Sequence, residues 1–78
     1  MANEFKFCIK EITHYKGMDS FDVYSIYDTE EDAINALNTL AENNKDKEDF
    51  EFENNELYFS ESFKLQRTFY LGRIPYNL

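Results

Sequence analysis

Thr29-Glu30-Glu31-Asp32-Ala33-Ile34-Asn35-Ala36-Leu37-Asn38-Thr39-Leu40-Ala41-Glu42-Asn43 carries the clearest local signal in this chain. Thr29 stands where an N-cap hydroxyl accepts an amide of the first turn. Glu30, Glu31 and Asp32 oppose the positive end of the helix dipole. Asp32 occupies the place where a capping box carries Glu or Gln. Ala33, Ile34, Leu37, Leu40 and Ala41 recur at helical spacing and form one apolar stripe. The stripe stops at Ala41, and Asn43-Asn44 supplies a stop signal. The pattern predicts one helix from about Glu30 to Asn43, with a single face to bury.

Everything around that helix reads as strand. Downstream, Phe50-Glu51-Phe52-Glu53 and Glu56-Leu57-Tyr58-Phe59 flank Asn54-Asn55, a pair that tolerates the positive φ angles of a two-residue turn. Folding about that turn sets Phe52 opposite Leu57 and Phe50 opposite Phe59 on one face. Glu51, Glu53, Glu56 and Tyr58 then share the other face, with Glu53 directly opposite Glu56. Ser60 to Lys64 reads as a connector. Leu65 to Ile74 reads as a last strand with Phe69 and Leu71 inward. Gly72 marks a bulge or a close approach, and Pro75 ends the strand before a short tail.

Upstream, Glu4 to Ile12 alternates, with Phe5, Phe7 and Ile9 on one side and Lys6, Cys8 and Lys10 on the other. Gly17 lies in the turn Tyr15 to Asp19, and Ser20 to Tyr27 forms a second strand antiparallel to the first. Both alternating sets of that second strand hold large apolar groups, as in a strand covered on one side by the helix and on the other by a partner. The expected architecture is α+β, in β-β-α-β-β-β order. A single antiparallel sheet of four to five strands carries one helix on one face, all within one domain, 1–78. The uncovered face should hold Cys8, Tyr58, Tyr70 and part of Tyr24 and Ile26.

Charge is distributed unevenly along the 78 residues. Residues 28–61 hold twelve of the sixteen carboxylates against Lys45 and Lys47 only. Residues 62–78 carry Lys64, Arg67 and Arg73 and no acid, and the whole chain has a formal charge of −8. Such a surface repels nucleic acid and anionic membrane and attracts basic protein. First-turn helix acids have a structural reason. The run Asp46, Glu48, Asp49, Glu51, Glu53 and Glu56, whose members repel one another, has less of one. No Lys or Arg occurs between Gly17 and Asn44 to offset the helix.

Catalytic chemistry finds little support. Cys8 and His14 are the only residues of their types, and on an extended strand they lie ~20 Å apart. Asp46, Glu48, Asp49 and Glu51 lack the spacing and glycine of a calcium loop, and one Cys with one His does not make a zinc site. No cofactor and no metal are expected. Aromatic groups on an open sheet suit RNA modules, but those ring their bases with Lys and Arg, whereas Glu51, Glu53 and Glu56 surround Tyr58. A lone cysteine fits no disulfide framework of a small secreted domain. Met1 to Lys6 lacks the basic and apolar regions of a signal peptide, and no apolar run approaches a membrane span. A cytoplasmic protein is expected.

The acidic block from Asp28 to Glu61, with the β-β-α-β-β order, resembles small phage-encoded inhibitor proteins of the anti-CRISPR and DNA-mimic type. That resemblance implies carboxylates occupying a basic channel that would otherwise hold nucleic-acid phosphates. The expectation is therefore a non-enzymatic binding protein that engages a basic, nucleic-acid-handling protein and inhibits it by competition. Asp46, Glu48, Asp49, Glu51, Glu53 and Glu56 would form the contact, with Tyr58 as an aromatic anchor. The alternative is a homodimeric accessory protein that pairs through its open sheet face.

Overall fold

The computed structural model describes residues 4–75. The short tail expected after Pro75, and Met1 to Asn3 of the signal-peptide reading, lie outside them. Five strands and one helix follow in the order β1 (Phe5–Tyr15), β2 (Met18–Tyr27), α1 (Glu30–Asn44), β3 (Glu48–Glu53), β4 (Glu56–Ser62) and β5 (Leu65–Pro75). The strands make one antiparallel sheet ordered β2-β1-β5-β4-β3. The α+β class and the β-β-α-β-β-β order are those the sequence predicts.

β1 and β5 form the spine of the sheet and pair along their whole lengths, from Phe5 opposite Pro75 to Tyr15 opposite Leu65. This pairing keeps Thr13, His14 and Tyr15 in strand although their side chains lack the alternation that marks Glu4 to Ile12. Backbone bonds to β2 and β5 on both sides hold them there. His14 is thus a strand residue, and its Nδ1 lies 2.6 Å from Asp19 Oδ1.

Thr29 caps α1 from extended backbone, φ −125° and ψ 155°, and its Oγ1 accepts the Asp32 amide at 3.1 Å. The chain enters the helix from β2 and leaves it for β3, so α1 must join opposite edges of the sheet. Four strand spacings span ~19 Å, and fifteen helical residues span ~22 Å. The helix therefore crosses the sheet and touches β1, β2, β4 and β5. Ala33, Leu37 and Ala41 are buried beneath it. Ile9, Leu57, Phe59 and Phe69 complete the core, with Tyr27, Ala36, Leu40, Phe50 and Phe52 packed around them. The Phe59 and Phe69 rings stack at 5.9 Å.

The sheet has three ladder irregularities; one lies between Ser60 and Ser62 where β4 pairs with β5, and the other two alter the expected register. β2 slips against β1 between Ile9 and Lys10, where Ser25 and Val23 are the successive partners and Tyr24 is the extra residue. The slip explains the two apolar faces of this strand. Val23 and Phe21 pair with Lys10 and Ile12, whereas Tyr27 pairs with Phe7. Tyr24, expected in part on the open face, instead meets the Phe69 ring edge-on at 5.3 Å on the core side. The second slip lies between Glu48 and Glu51, where Asp49 takes φ 59°. The expected pairing of Phe50 with Phe59 gives way there to Glu48 opposite Ser60. Phe52 opposite Leu57 and Glu53 opposite Glu56 stand as the turn requires, with Asn54 and Asn55 at φ 52° and 60°.

Beyond the end of the helix, a chain of charges closes the core. Arg67 Nη1 donates to Glu11 Oε2 at 2.5 Å, and its Nε lies 3.5 Å from Glu61 Oε1. Lys47 Nζ donates to Glu61 Oε2 at 2.9 Å. No helix of the described residues is long and apolar enough to cross a membrane.

Candidate binding surface

The register orders the face that α1 leaves open into cross-strand rows. One row runs Glu51, Tyr58, Thr68, Ile12, Phe21 from β3 to β2. The next runs Glu53, Glu56, Tyr70, Lys10, Val23. A third places Gly72, Cys8 and Ile26 side by side. The face is thus acidic at the β3–β4 side, tyrosine-bearing in the middle and apolar along β2. Cys8, Tyr58, Tyr70 and Ile26 stand on it as the alternation predicts.

Glu51, Glu53, Asn54, Glu56 and Tyr58 line one shallow depression of about 290 Å³ at the acidic side. The Asn54-Asn55 turn builds it by forcing Glu53 opposite Glu56, which holds two carboxylates on neighbouring strands. Directly opposed like charges are destabilising. Among the described residues, none of Glu51, Glu53 and Glu56 has an ion-pair partner. Other acids are engaged. Glu42 accepts from Lys45 at 2.5 Å, Asp28 accepts from Lys6, and Glu11 and Glu61 belong to the Arg67 chain. The hydrogen bond from Lys6 holds the Asp28 carboxyl below its ordinary value, and the bond to Glu42 raises Lys45.

The remaining expected site residues lie apart from the depression. Asp49 Oδ2 accepts from the buried Ser60 Oγ at 2.9 Å and sits at the register slip. Glu48 starts β3 opposite Ser60, and Asp46 is exposed in the turn that leaves α1. The cations that follow β4 do not line the depression either. Arg73 lies over the Phe5 ring at 4.9 Å, and Lys64 lies over Phe63 at 5.2 Å. Arg67 faces Glu11 across β1 and β5, a pairing that no local pattern announces because 56 residues separate the two.

Cys8 and Gly72 form the quiet centre of the open face. A Cβ on Gly72 would meet the Lys10 stem at 2.9 Å, so the glycine marks a close approach rather than a bulge. Cys8 is fully buried beside it, and burial pushes its thiol up, with Lys10 opposing in part. A protonated, inaccessible thiol is neither a nucleophile nor a metal ligand. No group of three or more His, Cys, Asp or Glu among the described residues is arranged to hold a metal ion.

Comparison with protein-family models, with curated proteins and with solved structures finds no match.

Proposed function

We propose that this is a non-enzymatic binding protein that presents Glu51, Glu53 and Glu56 to a basic protein surface. The observation that carries the reading is the convergence of these three carboxylates around Tyr58 with no neutralising cation among the described residues. A Lys or Arg head entering the depression meets opposite charge on two strands and an aromatic ring beside it. Bases that line a nucleic-acid channel have the same complementarity, so the partner is a nucleic-acid-handling protein and the effect is competitive inhibition. The same carboxylates repel phosphate and exclude direct nucleic-acid binding from the proposal. Asp46 and Glu48 extend the negative field toward the start of β3, while Asp49 supports the strand through Ser60. A lone buried cysteine, with no bridge to staple so small a domain, favours a cytoplasmic setting.

The test is affinity capture from host lysate at low and high salt, with the native protein and Glu51→Gln/Glu53→Gln/Glu56→Gln compared. The reading predicts basic nucleic-acid-binding proteins retained at low salt by the native protein and released by salt or by the triple substitution. Capture of the same proteins by both forms would remove the depression from the account.

A further inference from the structure

The two edges of the sheet are built differently. Four of the six residues of β3 are acidic, and such charge is a recognised guard against strand addition. β2 has ten residues and contains no Lys, Arg or Pro. It bonds β1 on one side only, and its residues from Met18 to Tyr24 are all exposed. The ladder with β1 is regular from Met18 to Val23, so the outward backbone groups of this stretch form a straight template. Its open face carries Asp19, paired with His14, then Phe21 at 69% exposure and Val23 at 46%, which with Lys10, Tyr70 and Ile74 line a depression of about 460 Å³. Its other face carries Asp22, opposite Glu11, and the chain then runs into the exposed Glu30, Glu31 and Asp32. Residues 18–44 include seven acids and not one Lys or Arg.

We infer that the Met18–Val23 edge of β2 accepts an extended segment of a partner protein in which apolar residues alternate with Lys or Arg. Backbone pairing extends the sheet by one strand, and the period of two sends alternate side chains to opposite faces. On the open face the incoming apolar groups cover Phe21 and Val23. On the other face an incoming cation meets Asp22, which stands opposite Glu11. Charge complementarity selects this occupant over a second copy of the chain, because another β2 would bring Asp19 and Asp22 and no cation. The inference is independent of the Glu51–Glu53–Glu56 reading, since the two surfaces lie at opposite edges of the sheet.

The test uses a synthetic heptapeptide alternating Lys and Val, titrated into the full chain by fluorescence anisotropy. Amide exchange is followed in parallel. Binding should protect amides of residues 18–23 and weaken with salt. It should weaken roughly tenfold or more when the central peptide amide is N-methylated, because main-chain bonds supply the affinity. Asp22→Lys/Val23→Lys, checked for a native melt, should lose binding to a similar degree, and Glu51→Gln/Glu53→Gln/Glu56→Gln should retain it. Three results would overturn the inference. One is binding lost in the triple Gln variant but kept in the β2 variant. Another is equal affinity for a Glu–Val peptide. The third is β2 amides already protected within a dimer in the absence of peptide.

Discussion

Thr29 shows how much a single atom can decide. Its Oγ1 satisfies one amide that the first helical turn leaves without a partner. Thr29→Ala should therefore cost about 0.5–2 kcal/mol, read as a lower midpoint in urea or heat denaturation. The N-cap was legible because its signal is local: a hydroxyl, three acids and a periodic stripe. Cys8 is the opposite case. Alternation puts it on the open face, yet it is fully buried there, through neighbours on β5 that sequence order does not reveal. Burial raises its pKa, so the native thiol stays protonated where an unfolded one ionises. That contribution to stability is full below the ordinary thiol range and is lost as pH rises from there through the raised native value. A thiol reagent at mildly alkaline pH should react slowly with the native protein and fast in denaturant. Equal rates would show an accessible thiol.

Among the elements, the Asn54-Asn55 turn is legible because its chemistry agrees with the nearest pairs, Phe52 with Leu57 and Glu53 with Glu56. The expected pairing of Phe50 with Phe59 is lost to the slip beyond them. Both residues adopt positive φ, which costs roughly 1–2 kcal/mol per ordinary residue and less for Asn. Asn54→Val/Asn55→Val should destabilise the protein by about 2–4 kcal/mol, whereas Asn55→Gly should be neutral or stabilising in the same denaturation assay. The slip at Asp49 was illegible, since an Asp within an acidic strand looks like any other member of the run. Its φ of 59° and its bond from Ser60 set it apart only in three dimensions. The slip at Tyr24 left one trace in the sequence, the apolar groups on both alternating faces of β2. The composition alone does not reveal the slip that causes it.

At the scale of the whole molecule, α1 is as long as the sheet is wide, and this match fixes where the core lies. Leu37 sits at its centre, fully buried. Leu37→Ala should cost about 2–5 kcal/mol, against a total of about 4–12 kcal/mol for a chain of this length. Loss of most of the cooperative transition is the expected result. Element order was legible from periodicity, but strand order was not, because the β1–β5 pairing joins residues up to 70 apart. The charge asymmetry along the chain was legible as well. Its arrangement needed the register, which separates Glu51, Glu53 and Glu56 on one side of the open face from Phe21, Val23 and Ile26 on the other. Glu61, Glu42 and Asp28, by contrast, are paired with cations.

Competition with nucleic acid decides whether Glu51, Glu53 and Glu56 stand in for phosphates. A basic protein captured by this chain is loaded with fluorescent nucleic acid, and displacement is followed as the native protein or Glu51→Gln/Glu53→Gln/Glu56→Gln is added. The account predicts release by the native protein, suppressed at high salt where exposed charges are screened, and little release by the triple variant. Equal displacement by both, or a ternary complex that keeps its nucleic acid, would contradict it.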